Sequence, residues 1–229
     1  MNPHIIDETH PLKEVLVWGE PGCEALLAQL LPKSKSLFFS YYEVTEARNE
    51  FRRMQALIEK EGVKVIRAKD AYVRALEKMD IPNLPKSIHE LEQRLLKYAD
   101  EYYETFKDEK AVELQLSRHT ISIEDVYSQV RADIHKILKE DIESYGAMNA
   151  VKLNYLLSHS HDLPICNIFY GRDQSNTLGN EILISEMRWD IRKPETEIYK
   201  TALKELGFED HIVNIEEGTI EGGDSIILG

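Results

Sequence analysis

Long apolar runs are missing from this sequence. No uncharged apolar stretch approaches the roughly 20 residues that a membrane helix needs, and the N-terminus lacks the charged-then-apolar plan of a signal peptide. Basic charge is also scarce: 28 lysines and arginines stand against 41 acidic residues, which gives a formal net charge of −13. Such a surface is a poor partner for nucleic acid or an anionic membrane. We therefore expect a soluble, cytoplasmic protein with neither of these partners.

Cysteine is scarce as well. Cys23 and Cys166 stand far apart without CxxC or Cys/His spacing, so neither a disulfide framework nor a zinc site is indicated, and we expect both to be small buried side chains. His159 and His161 beside Asp162 could chelate a metal. Because no third, distant ligand is evident, a polar loop is the better interpretation, and we expect neither a metal nor an organic cofactor.

Glycine and proline are few, 11 and 8 of 229 residues, while 42% of the residues are hydrophobic. This predicts a globular chain. Residues 13–18 form a short β-branched run, helical spacing extends from Thr45, a plausible N-cap, to Gly62, and residues 63–66 resume as a strand. The alternation of strand, helix and strand predicts the α/β class.

Between about residues 72 and 157 the sequence pattern changes: these segments are rich in charged residues and have an apolar residue every three or four positions. This spacing predicts helices around residues 91–106 and 123–138 and a third at 147–157. Ser122 and Asp125 are placed as the N-cap and N3 acid of the second helix. We therefore predict an all-helical insertion at 72–161 within an α/β framework formed by 1–71 and 162–229.

The framework is expected to resume after Pro164. Apolar runs predict strands at 165–170, 181–185, 212–215 and 225–228, with a helix at about 195–206 closed by Gly207. The last of these strands would leave an unpaired sheet edge at Gly229, so we expect the natural protein to continue.

Carboxylates follow two of the predicted strands. The apolar run at 165–170 is followed by Gly-Arg and then Asp173. The segment Ile-Glu-Gly-Gly-Asp at 220–224 places Glu221 and Asp224 on either side of two glycines. Two carboxylates from different strands can bind a planar guanidinium and fix its plane for attack on the central carbon. Arg192 could hold the carboxylate end of an arginine-like ligand, and Asn167 could add a neutral hydrogen bond.

Spacing alone favours a structural role for each of these residues. An aspartate after a strand is more often a turn residue or a helix cap, and Gly-Gly-Asp is more often a tight turn. Taken singly, Arg192 is more often a surface ion pair and Asn167 a turn amide.

Several blocks in order add specificity. They are Asn-Ile-Phe-Tyr-Gly-Arg-Asp at 167–173, Leu-Gly-Asn at 178–180, Met-Arg-Trp at 187–189, Arg192, Glu-Thr at 195–196 and Glu-Gly-Gly-Asp at 221–224. Together they resemble the signature of arginine deiminases and the wider guanidino-modifying superfamily, and Pro-Leu-Lys-Glu-Val-Leu-Val at 11–17 resembles the family's opening module more loosely. The resemblance spans nearly the whole chain.

The resemblance implies a pentein-type α/β propeller, incomplete in this chain, around a substrate cavity. It implies that Asp173 binds the substrate guanidinium, that Glu221 lies beside it and supports the histidine, and that Asp224 shapes the loop. Asn167 and Arg192 would hold the substrate's α-carboxylate. The implied partner is arginine or another guanidino compound, and a homo-oligomer through the helical insertion is left open.

The family's chemistry needs a cysteine thiolate that attacks the guanidinium carbon, with loss of ammonia, and a histidine-activated water that releases citrulline from the Cys-amidino intermediate. In the family, a His-x-Asp block follows Glu-Gly-Gly-Asp and the cysteine lies near the C-terminus. This sequence contains neither, so we expect an arginine deiminase-like hydrolase present as an inactive fragment. The alternatives are an amidinotransferase, which passes the amidino group to an amine, and a non-catalytic guanidino-binding protein.

Overall fold

Helices alone build one part of this chain, whereas helices and strands alternate in the other. The structure, a computed structural model, describes residues 3–5, 10–38, 40–159, 162–215 and 217–224. An α/β unit comprises Met1–Gly19, Phe51–Lys78 and Asn167–Gly229, and a helical unit comprises Glu20–Glu50 and Met79–Cys166. The predicted mixture of helices and strands is confirmed.

Within the described ranges, the regular elements follow one another as β1 (Glu14–Val17), α1 (Cys23–Ala28), α2 (Lys33–Ser36), α3 (Val44–Lys60), β2 (Lys64–Arg67), α4 (Ala68–Glu77), α5 (Ile88–Leu116), α6 (Ile123–Tyr145), α7 (Ala147–Ser158), α8 (Gly171–Gln174), β3 (Ser175–Leu178), β4 (Glu181–Ile184), α9 (Lys193–Glu205) and β5 (Ile212–Asn214). Residues 20–50 group with the helices. That 72–161 is a separate domain inserted into a propeller stays a prediction.

The first sheet of the α/β unit consists of two parallel strands, β1 and β2, paired along their whole length. Both strands were predicted, and so was the helix before β2, which begins at Val44, one residue before the expected cap Thr45. The helix stops before Gly62, whose φ of +82° is a left-handed conformation that favours glycine. The first strand, helix and strand are therefore confirmed.

The second sheet has the strand order β3-β4-β5. β3 and β4 pair antiparallel around Gly179, and β5 joins β4 in parallel after the crossover through α9. The predicted strands at 181–185 and 212–215 and the helix closed by Gly207 are confirmed. The predicted strand at 225–228 lies outside the described residues.

Apolar side chains of the second sheet and of its crossover helix form a buried cluster in the α/β unit. Ile182 and Ile184 of β4 pack with Leu203 of α9 and with Phe208 just after it. α4 packs against α9, and Trp18 lies 5.8 Å from Tyr199, ring centroid to centroid. Burial of these faces fixes α9 against the sheet, and the first turn of α9 belongs to the site described below.

The strand predicted at 165–170 is wrong. These residues form an irregular segment and a turn, and Gly171 then begins the single helical turn α8. The physical reason is that side chains, not a neighbouring strand, satisfy the backbone: the Asn167 N–H donates to Glu195 at 3.0 Å, and the Gln174 amide donates to the Asn167 carbonyl at 3.0 Å. The apolar side chains of residues 165–168 are buried, as they would be in a strand, but their backbone does not belong to a sheet.

The helical unit is built on α1, α5, α6 and α7, which pack against one another. The three long helices were predicted and are confirmed. The capping box of α6 is also confirmed: the Asp125 N–H donates to the Ser122 hydroxyl at 3.1 Å, and the Asp125 carboxylate accepts from the Ser122 N–H at 3.4 Å. α1 was missed, and all of its residues are buried.

A buried ionic network ties several helices of this unit together. Arg48 of α3 pairs with Asp141 of α6 at 3.3 Å and also donates to the Pro21 carbonyl. Asn154 of α7 donates to the same Asp141 at 2.9 Å and accepts from the Cys23 N–H of α1 at 3.4 Å. A buried charge needs such partners, so this network constrains the packing of four helices.

The strands of the described ranges lie in two separate sheets, and no closed ring of modules is seen there. The pentein-type propeller therefore stays a proposal. None of the described helices combines the length and the apolar character that crossing a membrane requires.

Candidate functional site

Asp173 is presented by α8, a single helical turn that directly precedes β3. The Asp173 N–H donates to the Tyr170 carbonyl at 2.7 Å, which closes the turn, and the Gln174 carbonyl accepts from the Ser185 N–H at 3.0 Å. Gly171 is required at the start of the turn, because a Cβ there would lie 2.8 Å from the Tyr199 hydroxyl. The turn is thus anchored to the sheet on one side and to α9 on the other.

Glu221 and Asp224 form a self-capped turn. The Glu221 N–H donates to the Asp224 carboxylate at 2.9 Å, and the Asp224 N–H donates back to the Glu221 carbonyl at 2.9 Å. Between them, Gly222 lies against the backbone of Arg172, where any Cβ would overlap the Arg172 carbonyl. The absence of a side chain at this glycine brings the two acidic segments together.

The guanidinium of Arg192 lies where these segments meet. Arg192 ends a short 3-10 turn, Asp190–Arg192, and is 6% exposed. Its Nη1 donates to Asp173 Oδ2 at 3.1 Å and to Glu221 Oε2 at 3.4 Å. Its Nε donates to Glu195 Oε2 at 3.1 Å. One guanidinium therefore contacts three carboxylates from three separate segments.

Glu195, in the first turn of α9, is fully buried at 0% exposure. Its Oε1 accepts from the Asn167 N–H at 3.0 Å, and its Oε2 also accepts from the Gln174 side-chain amide at 2.7 Å. Gln174 has 0% exposure too, and donates a second bond to the Asn167 carbonyl. These contacts compensate the cost of burying a carboxylate.

Burial and charge act in opposite directions on the pKa values of this pair. Burial disfavours a charged guanidinium, but the attraction of Glu195 and Asp173 outweighs it, and the pKa of Arg192 is raised. For Glu195, burial is the largest influence and raises the pKa of the carboxyl, while Arg192, Gln174 and the Asn167 N–H counteract it. Glu195 is therefore protonated more readily than an exposed glutamate.

All five residues predicted for the site lie in the α/β unit and belong to one connected network. Arg192 contacts Asp173 and Glu221 directly, Asp224 is linked through Glu221, and Asn167 is linked through its backbone to Glu195. Which substrate group each of them binds stays a prediction.

Glu195 and Gln174 were not predicted as site residues. The available signal was proximity: Gln174 directly follows Asp173, and Glu195 follows Arg192 by three residues, the spacing of neighbours on a helix. Their burial could not be read from the sequence, because an acidic residue in the first turn of a helix is normally explained by the helix dipole.

Both cysteines lie in the helical unit, and both are buried, as predicted. The Cys166 thiol donates to the Pro164 carbonyl at 3.1 Å. His159, one member of the metal-binding alternative, stacks on Tyr98 with ring centroids 4.2 Å apart, and His161 lies outside the described residues. In the part of the chain that the structure describes, no three metal-binding side chains are grouped.

Comparison with known proteins places this geometry in context. The sequence model of a family described as arginine deiminase matches residues 35–229. Arginine deiminases of Streptococcus sanguinis (strain SK36) and Streptococcus pneumoniae (strain Hungary19A-6) are each 26% identical over 233 residues, and that of Streptococcus gordonii is 24% identical over 234. Each alignment covers 98% of this chain but only 53% or 54% of the relative. The chain therefore spans about half the length of these curated relatives.

Proposed function

Because this chain belongs to the arginine deiminase family, we propose that it binds arginine and takes part in hydrolysing the guanidino group to give citrulline and ammonia. The observation behind this proposal is the arrangement of Asp173 and Glu221, whose carboxylates meet at one guanidinium, that of Arg192. The same geometry suits the guanidinium of a free arginine.

In this proposal Asp173 and Glu221 bind the substrate guanidinium. Their side chains are 30% and 29% exposed, so a ligand can reach them, whereas Glu195 is fully buried. The contacts to Arg192 use Asp173 Oδ2 and Glu221 Oε2, and we assign Oδ1 and Oε1 to the substrate. Two carboxylates at one planar cation would fix its plane for attack on the central carbon.

The charge balance of the cluster favours a second cation. Arg192 and the three carboxylates that contact it have a net charge of −2, from three negative charges and one positive charge. At an effective dielectric constant of about 20, one charge pair at 4 Å is worth about 4 kcal/mol. The surplus negative charge would thus attract a guanidinium even while Arg192 stays in place.

Arg192 and Asn167 are proposed to meet the α-carboxylate end of the substrate. A guanidinium suits this role because its fork of N–H donors matches a carboxylate. Asp224 is proposed to act through Glu221, since its carboxylate accepts the Glu221 N–H and closes the turn.

Bond cleavage needs a thiolate and a histidine, as the family resemblance implies. Cys23 and Cys166 are buried, and both precede Asp173 in the sequence, whereas the resemblance implies a nucleophilic cysteine near the C-terminus. We therefore propose that turnover requires residues other than these 229. Two further proposals accompany this one: the sheets are modules of a pentein-type propeller, and the protein acts in the cytoplasm.

Isothermal titration calorimetry with arginine tests the binding step on the 229-residue chain. Asp173→Asn should weaken binding about 10- to 100-fold, because it removes a charge-assisted hydrogen bond worth about 1.5–3 kcal/mol. The matched control is Asp190→Asn, whose side chain is 92% exposed and should leave the affinity unchanged.

Turnover is measured by scoring citrulline and ammonia separately, for this chain and for the polypeptide expressed to its natural stop codon. Activity of the longer polypeptide alone supports the proposal. Arginine binding without any turnover would favour a guanidino-binding protein instead, and ornithine that forms only when an amine acceptor is added would indicate an amidinotransferase. Absence of arginine binding would overturn the proposal.

A further inference from the structure

Glu195 is an unusual first-turn acid. A carboxylate at this position of a helix is stabilised by the helix dipole even when it is exposed to solvent. The side chain of Glu195 nevertheless has no exposure, although burial of a carboxylate is costly unless its oxygens are fully paired. The helix dipole therefore does not account for where this carboxylate lies.

The two oxygens of Glu195 are divided between the segments of the site. Oε1 receives the Asn167 N–H, and Oε2 receives both Arg192 Nε and the Gln174 amide. Because Nε is bound on one edge, the plane of the Arg192 guanidinium is fixed, and Nη1 is left to point at Asp173. One buried carboxylate thus fixes the orientation of both the Arg192 guanidinium and the Asn167 backbone N–H.

We propose that Glu195 is a positioning residue, which holds Arg192 and Asn167 in the orientation in which both meet the α-carboxylate of arginine. Gln174 supports it by bridging Glu195 and the Asn167 carbonyl. This inference rests on the proposed function, and deepens it by naming the residue that makes the site selective for an amino acid over a simple guanidino compound.

An amide cannot replace the carboxylate in this position. Both oxygens of Glu195 accept hydrogen bonds from N–H donors. The side chain of Glu195→Gln would have nearly the same volume, but whichever way its amide turned, its NH2 group would face a donor. The variant must therefore release either the Asn167 N–H or the Arg192 Nε.

Comparing two ligands distinguishes a positioning role of Glu195 from a general effect of its replacement on stability. Arginine and agmatine share the guanidinium, but agmatine lacks the α-carboxylate. In calorimetric titrations of the 229-residue chain, Glu195→Gln should weaken arginine binding about tenfold or more and agmatine binding less than about threefold. The control Glu197→Gln changes a 73% exposed side chain on the same helix and should alter neither affinity.

A ligand-free measurement reports on the same contacts. In 1H–15N spectra, whichever of the Asn167 amide and the Arg192 Nε–H the variant releases should shift and exchange faster in Glu195→Gln, and both should stay unchanged in Glu197→Gln. If Glu195→Gln does not fold, Gln174→Met removes a donor to Glu195 at similar volume and should give the same selectivity with a smaller loss, about threefold.

The outcomes distinguish this inference from the proposed function. Equal weakening of both ligands, or unchanged Asn167 and Arg192 resonances in Glu195→Gln, would overturn the positioning role. If the unaltered chain binds neither ligand, the proposed function fails, and the two resonances still decide whether Glu195 holds Arg192.

Discussion

Replacing Arg192 by alanine is the sharpest test of the carboxylate cluster. The change leaves Glu195 buried and without its cation, and removing one partner of a buried ion pair typically costs about 3–5 kcal/mol. Asp173 and Glu221 are 30% and 29% exposed, so water can hydrate them once the cation is gone. We therefore expect Arg192→Ala to lower the free energy of unfolding by about 3 kcal/mol, the lower end of that range, at pH 8.

The loss should depend on pH, and its sign follows from Glu195. Burial already raises the pKa of this carboxyl, and Arg192 is one of the groups that counteract it, so the variant should have a still higher pKa. A carboxyl whose pKa is raised in the folded state favours folding as the pH falls toward its unfolded value of about 4.3. The loss in the free energy of unfolding caused by Arg192→Ala should therefore be largest at pH 8 and smaller at pH 5.

The other ionisable groups at this place do not reverse that expectation. Asp173 and Glu221 remain accessible to water, and the hydroxyl of Tyr199, whose pKa is raised by burial and then by Glu195, stays neutral over this range. The protonation of Glu195 therefore dominates the difference between the variant and the unaltered chain.

Chemical denaturation followed by tryptophan fluorescence measures this difference. Both tryptophans, Trp18 and Trp189, lie in the α/β unit, so the signal reports on the unit that contains the cluster. Arg188→Ala, a change at an exposed neighbour, is the control and should cost less than about 0.5 kcal/mol. A loss below about 1 kcal/mol at pH 8, or an equal loss at pH 5 and pH 8, would refute the reasoning.

Three further changes test other parts of the structure. Gly222→Ala should cost about 1–3 kcal/mol in the same denaturation assay and weaken arginine binding, because its methyl group would overlap the Arg172 carbonyl; unchanged binding would contradict this. Ser122→Ala removes the cap of α6 and should lower stability by about 1 kcal/mol, measured by far-UV circular dichroism. Arg48→Ala leaves Asp141 buried without its cation and should cost about 3–5 kcal/mol by the same method, and a near-neutral effect would show that the network is dispensable.

The fold was predictable where local pattern and packing agree. β2, β4 and β5 are short runs rich in Val and Ile, and the long helices have apolar residues at regular spacing. β3 was missed because its residues, Ser-Asn-Thr-Leu, are mostly polar and gain their strand conformation by pairing with β4. For the segment at 165–170 the error was the opposite one: a strand was predicted from its apolar residues, but side chains from elsewhere in the chain bind its backbone and it joins no sheet.

The site was predictable as a set of residues but not as a geometry. The ordered motifs indicated Asp173, Glu221 and Arg192, and the structure joins all three. That the Arg192 guanidinium itself touches both carboxylates could not be foreseen, because contacts between residues distant in sequence depend on how the turns pack. Glu195 was not predicted for the same reason, because only its burial distinguishes it from an ordinary acidic residue in the first turn of a helix.

The contact of Gly222 with Arg172 bears on how this sequence can vary. The space that a side chain at position 222 would need is filled by the main-chain carbonyl of position 172, an atom that every amino acid possesses. No exchange of the residue at 172 can make room for a larger one at 222, so compensating pairs of substitutions are excluded here. Glycine is therefore demanded at position 222 whichever side chain stands at position 172.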